Sequence, residues 1–324
     1  MKLATLANGQ PDGTLVLVSA DLRHAVSVAD IAPTLQSALE RWSAVEPALR
    51  ARAEALAADT CTDRIDFAAT KPLAPLPRAW QWLDGSVYET HGELLQKGMG
   101  LAANPQGRPL MYQGISDTIL APDADAAFPT EDDGIDFEGE YGVIVDAVPL
   151  GVTAAEAARH IKLVVQINDW SLRVLGKIEM QTGFGWIQAK PPIAMAPVAV
   201  TPDALGSAWR DGRVDLPLLV DWNGQRFGAA EGYPMAYNFP ELIAHAARTR
   251  ALCAGTIIGS GTVSNPNYDQ VGSSCISERR AIEAIASGQP TTGFMRFGDQ
   301  VRMEVRTRDG APVFGVIEQR VVQA

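Results

Sequence analysis

Carboxylates dominate the residues of this chain that can do chemistry. In Asp136-Phe137-Glu138-Gly139-Glu140 the acids recur at every second position. In a strand that spacing puts Asp136, Glu138 and Glu140 on one face. The continuation from Tyr141 to Val145 is apolar on both faces, so the acid face leads into a core. Three like charges are costly to bury unless a cation lies among them. A second apolar run, Leu163 to Ile167, delivers Asp169 just beyond its end. These donors are all oxygen, with no Cys or His close in sequence, which favours a hard cation, Mg²⁺, Ca²⁺ or Mn²⁺, over zinc. In so acidic a protein the competing reading is a solvated acidic edge.

Two other side chains stand out. His91 follows an aromatic stretch that begins at Trp80, and carboxylates flank it. A single histidine is more often structural than catalytic, and His160 and His245 read as helix positions. Lys190 is the sole charge between Met180 and Thr201. It either extends to the surface or is placed for chemistry.

The elements that must position these groups draw on 324 residues, 47% of them hydrophobic, enough for a small domain and a large one. The formal net charge of −11 argues against nucleic acid or an anionic membrane as partner. No apolar run reaches membrane-spanning length, and the N-terminus is too short in apolar residues for a signal peptide. Cys61, Cys253 and Cys275 are odd in number and scattered, which points to a reducing, cytoplasmic setting.

Lys2–Leu6 and Thr14–Val18, separated by Asn8-Gly9 and Asp12-Gly13, predict a hairpin. Thr34 to Ala58 reads as helical, with Thr34 as a cap, Ser43 and Glu46 as a capping box, and Pro47 in a first turn. The prolines at 72, 75 and 77 predict an extended linker, so the chain divides into a small module, residues 1–75, and a catalytic part, residues 76–324. Short strands are expected at 108–112 and 118–121. Thr153 and Glu156 form a further capping box before the 161–167 strand. From Val198 the chain is dense in short strands, with Asn223-Gly224 as a hairpin turn and a helix over 239–251. Gly255 to Thr262 matches neither a dinucleotide fingerprint nor a P-loop, and reads as a strand and turn where backbone closely approaches a ligand.

Taken together, Asp84 with His91, Asp136-x-Glu138-x-Glu140, Asn168-Asp169-Trp170-Ser171-x-Arg173, Lys190 and Gly261-Thr262-Val263-Ser264 resemble the fumarylacetoacetate hydrolase family. The first 75 residues resemble the small N-terminal domain of its longer members. The resemblance implies an α+β protein with a β-rich mixed roll as catalytic domain, and a homodimer. It implies Mg²⁺ or Ca²⁺, with Mn²⁺ as a further candidate, held by Asp84, Glu138, Glu140 and Asp169. His91, seven residues after Asp84, takes the position of the family's catalytic histidine, and Lys190 that of its active-site lysine. Tyr112, Thr262 and Arg173 become substrate-binding residues. The family glutamate behind the histidine falls by count on Ile276, with Glu278 the nearby carboxylate that can serve instead. Family positions for a tyrosine, an arginine and a glutamine that read the substrate are occupied here by Ser86, Gly100 and Gly176, and that of a threonine beside the metal by Ala194. The implied reaction is hydrolysis of a carbon–carbon bond in a β-diketo acid, first of all fumarylacetoacetate, at the end of tyrosine breakdown. The alternatives are acylpyruvate hydrolysis, decarboxylation of an oxaloacetate-type acid, dienoate hydration, or metal binding without turnover. His91 favours hydrolysis, because a water-activating base is what that reaction needs.

Overall fold

The computed structural model describes residues 1–99 and 107–324; Gly100 lies outside the described residues. Two sheets carry the fold. The larger runs, in spatial order, Ile65–Asp66, His24–Ser27, Thr14–Val18, Lys2–Leu6, Val198–Val200, Ile161–Asn168, Gly139–Val145, Ile257–Gly259, Trp82–Ser86 and Leu110–Gly114. Ala194–Met195 pairs with Ile161–Asn168 beside this path. The smaller sheet runs Gln225–Glu231, Pro217–Trp222, Gln300–Arg306, Pro312–Gln323 and Ala126–Phe128. This is a mixed α and β architecture in two parts, a small N-terminal module and a large catalytic roll.

The N-terminal hairpin forms as its turn pairs predict, with Lys2 opposite Val18 and Leu6 opposite Thr14. Its first strand then pairs with Val198–Val200, so the module extends the large sheet instead of forming a separate one. The helices Leu35–Glu40 and Trp42–Ala57 contribute Leu35, Leu39, Trp42 and Leu49 to a core with Ile144, Leu163, Val165 and Ile167. On the opposite face Tyr141, Val143 and Val145 pack with Val220, Met303 and Phe314 of the smaller sheet. The central strands are therefore buried on both faces, which is why they read as continuous apolar runs.

Several expected elements differ. The acid-bearing segment is two strands, Ile135–Asp136 and Gly139–Val145, with Glu138 making only an isolated bridge to Cys275. Ser43 lies within the helix Trp42–Ala57, whose cap position is Arg41, and Pro47 is interior to it. The helix after Asn238 ends at Ala246, so Arg248 and Arg250 fall beyond its last turn. The strand expected at 108–112 is Leu110–Gly114, and of residues 118–121 only Leu120 forms a bridge. Among the described residues no helix is long and apolar enough to cross a membrane.

Candidate metal centre and acid–base site

Asp84, Glu140 and Asp169 come together at one end of the central strands. All three are buried, and a carboxylate oxygen from each lies within 4.8 Å of the others. Register explains the meeting. Asp84 pairs with Gly259, which pairs with Gly142, two residues from Glu140; Glu140 pairs with Ile167, two residues before Asp169. Gly259 makes room: a Cβ there would stand 2.4 Å from Asp84 Oδ1. The Gly261 N–H donates to that same oxygen at 3.1 Å.

The cluster is electrostatically incomplete. Both oxygens of Glu140 and Oδ1 of Asp169 are buried without a hydrogen-bond partner among the described residues. Burial, then the neighbouring carboxylates, push Asp84 and Glu140 well above the usual carboxylate range. Burial raises Asp169 too, although Lys190 opposes it. Buried acids are normally paired or coordinate a metal, and an oxygen-only donor set suits a hard divalent cation. The residues present therefore fit such an ion.

Glu138 stands beside this trio but is compensated. Its Oε2 accepts from Lys190 Nζ at 2.5 Å, and its Oε1 from Arg173 Nη2 at 2.6 Å. Lys190 also donates to Asp169 Oδ2 and, at 2.8 Å, to Ser171 Oγ. Burial alone would lower the Lys190 pKa; Asp169 and Glu138 outweigh it and keep the ammonium charged. Burial likewise favours protonated Glu138, yet Arg173 and Lys190 hold it well below the usual range. Lys190 thus does not extend to the surface. Arg173, expected to face substrate, has Nε on Asp136 and Nη2 on Glu138.

His91 lies in the first turn of the helix Glu89–Met99. Its Nδ1 is 3.1 Å from Oε2 of Glu278, and both side chains are buried. Facing a carboxylate, Nδ1 carries the proton, which leaves Nε2 as the basic nitrogen. A donor atom of His91 lies within 4.8 Å of both a Glu138 oxygen and Cys275 Sγ. Glu278 reaches the histidine because the helix Ile276–Ser287 starts immediately after Cys275, whose Sγ accepts the Glu278 N–H at 3.3 Å. Ile276 is in the core, with its N–H donating to Asp136.

Tyr112 is directly across from Asp84, and its hydroxyl donates to Asp169 Oδ2 at 2.8 Å. Its ring meets Trp186 edge-on at 6.3 Å, a contact with no signal in the sequence beyond an aromatic residue four positions before Lys190. Thr262 is buried between Gly261, which bonds Asp84, and Val263, whose N–H donates to the Gly139 carbonyl at 3.0 Å. Gln319 escaped the sequence reading altogether. It accepts from Asn168 Nδ2 at 3.3 Å and Trp170 Nε1 at 3.0 Å, while Asn168 Oδ1 receives the Glu138 N–H at 3.1 Å. A buried glutamine on an alternating strand gives no local cue to this role.

Comparison with known proteins agrees with this architecture. Residues 81–322 match the fumarylacetoacetate (FAA) hydrolase C-terminal family and residues 1–78 the fumarylacetoacetase N-terminal domain 2 family. The chain belongs to the fumarylacetoacetate hydrolase family. It is 27% identical over 157 residues, 48% of its own length, to a 2,4-didehydro-3-deoxy-L-rhamnonate hydrolase of Sphingomonas sp. (strain SKA58). The chain spans about half the length of that curated relative, 52%. Maleylpyruvate hydrolase from Sphingobium sp. SYK-6, solved with manganese(II) and pyruvate, aligns with a TM-score of 0.68 at 16% identity, covering 100% of both chains. The 5-carboxymethyl-2-hydroxymuconate delta-isomerase from Mycobacterium smegmatis aligns with a TM-score of 0.64 at 18% identity, covering 100% of this chain and 99% of that one. At these identities the solved structures speak to fold alone.

Proposed function

We propose that the chain is a divalent-metal-dependent hydrolase that cleaves the carbon–carbon bond of a β-diketo acid to a carboxylic acid and a methyl ketone acid. The observation that carries this reading is the buried His91–Glu278 pair beside three clustered carboxylates, three of whose oxygens have no hydrogen-bond partner among the described residues. A decarboxylation has no need of a base that deprotonates water, whereas hydrolysis does.

Asp84, Glu140 and Asp169 would hold the cation, with Glu138 as the adjacent fourth carboxylate. A divalent ion supplies Lewis acidity to the diketone oxygens when bound, and Mn²⁺ or Mg²⁺ suits this donor set. His91 Nε2 takes a proton from water while Glu278 stabilises the imidazolium that results. The hydroxide adds to the distal carbonyl, and the positive charge of the Lys190 ammonium, held by Glu138, Asp169 and Ser171, stabilises the oxyanion that develops. Collapse breaks the carbon–carbon bond and leaves its electron pair on the departing enolate. His91 returns the proton to that carbon, so water is divided between the two products. Tyr112 and Thr262 line the substrate position.

Two of the relatives are named as hydrolases, one of them solved with pyruvate, which favours acylpyruvates within the substrate class. Fumarylacetoacetate remains the other member to test, and Ser86 and Gly176 at family reader positions weigh toward a different acyl group. The test follows loss of diketone absorbance with acylpyruvates, fumarylacetoacetate and oxaloacetate in parallel, with Mn²⁺ or chelator present. Metal-dependent cleavage of a diketo acid supports the reading. Turnover of oxaloacetate alone would replace it with decarboxylation.

A further inference from the structure

We infer that Asp136 is a positioning residue that ties the base pair His91–Glu278 to the Glu138–Lys190 side of the site. The inference deepens the hydrolase reading and rests on it for its kinetic arm. Asp136 is wholly buried, and it is not among the unsatisfied acids of the metal centre. Its Oδ1 accepts the Ile276 N–H at 2.7 Å, and its Oδ2 accepts the Ser277 N–H at 2.9 Å and Arg173 Nε at 2.7 Å.

These contacts reach in two directions. The two N–H groups belong to the first turn of the helix Ile276–Ser287, and the next residue, Glu278, is the carboxylate behind His91. The free N–H groups of a helix start favour an anion, so Asp136 fixes where this 12-residue helix begins and which way its first turn faces. In the other direction Arg173 passes from Asp136 to Glu138, and Glu138 holds Lys190. A single carboxylate thereby sets the distance between the group that activates water and the group that stabilises charge. The two segments it joins are about 140 residues apart in the chain, and small errors in such a separation cost rate more than affinity.

The test compares Asp136→Asn, Glu278→Gln, the double variant and Arg173→Lys in the Mn²⁺-loaded protein. Asn is isosteric but replaces one acceptor by a donor, so it cannot satisfy both helix N–H groups and Arg173. The expected result for Asp136→Asn is a kcat loss of about a hundredfold with KM within about threefold and one Mn²⁺ still bound per chain. The double variant should be no slower than the slower single variant, because both act through His91. A second readout needs no turnover. In ¹⁵N-histidine-labelled protein, the Nδ1–H proton of His91, assigned with His91→Gln, should give a protected downfield signal in wild type. It should vanish in Asp136→Asn and persist in Arg173→Lys, which leaves the helix contacts intact. An unchanged signal in folded Asp136→Asn, or multiplicative losses in the double variant, would overturn the inference. If the wild type cleaves no diketo acid the hydrolase reading fails, and the histidine signal still decides the role of Asp136.

Discussion

Two groups of buried acids stand side by side in this protein and are treated in opposite ways. Asp136 and Glu138 are satisfied by Arg173, Lys190 and two helix N–H groups. Of Asp84, Glu140 and Asp169, Asp169 alone bonds a lysine and a tyrosine, Asp84 accepts the Gly261 N–H, and three of the trio's oxygens have no partner among the described residues. The acids and the depth are alike; what differs is whether the chain supplies its own counter-charge. Where it does, the carboxylates belong to the framework. Where it supplies too little, the arrangement suits a cation brought from solution.

Variants on the two sides should therefore part company. Asp84→Asn or Glu140→Gln should remove stoichiometric Mn²⁺ binding, read by calorimetry, and lower turnover by about 10³-fold or more. His91→Ala should lower kcat by about 10²–10⁴-fold while the bound metal remains; near-native kcat would remove His91 as the base. For stability of the metal-free protein the signs should be opposite. Glu138→Gln takes one of two carboxylate partners from each of the buried cations Arg173 and Lys190 and should cost about 3 kcal/mol in denaturant unfolding. Glu140→Gln removes a carboxylate whose ionisation burial and its acidic neighbours oppose, and should stabilise the metal-free protein by about 1–3 kcal/mol near pH 7. Equal signs for the two substitutions would erase the distinction between the groups.

The smallest effect expected is at an exposed pair outside both groups. Arg50 bonds Asp203 and lowers its pKa from 3.8 to about 2. A depressed carboxylate adds stability above its unfolded value, and that stability is lost as pH falls from about 4 to about 2. With the Asp203 side chain 57% exposed, solvent screening reduces the contribution to a few tenths of a kcal/mol, about 0.3. Asp203→Asn should lower the melting temperature slightly at pH 7, with the difference shrinking as pH falls through about 2.

The contrast between the acid groups was only half legible in the sequence. Alternation correctly brings Glu140 into a buried strand near Asp169, and the isolation of Lys190 marks it as unusual. Alternation also predicts one face for Asp136, Glu138 and Glu140, but the strand breaks between Asp136 and Gly139. The cause is distant: Asp136 is held by the start of a helix 140 positions later, and no local pattern announces that contact. Counting along the family pattern leads to Ile276, while the start of the helix at Cys275 turns Glu278 toward His91. The N-terminal hairpin is plain from its turn residues, whereas its pairing with Val198–Val200 depends on long-range register.

The most direct test of the central claim is a titration of metal-stripped protein with Mn²⁺, reading bound ion and acylpyruvate cleavage together. One equivalent should restore cleavage in the wild type, and Glu140→Gln should neither bind the ion nor regain activity. Cleavage that survives stripping, or Mn²⁺ bound equally well by Glu140→Gln, would contradict a cation centre built on these three carboxylates.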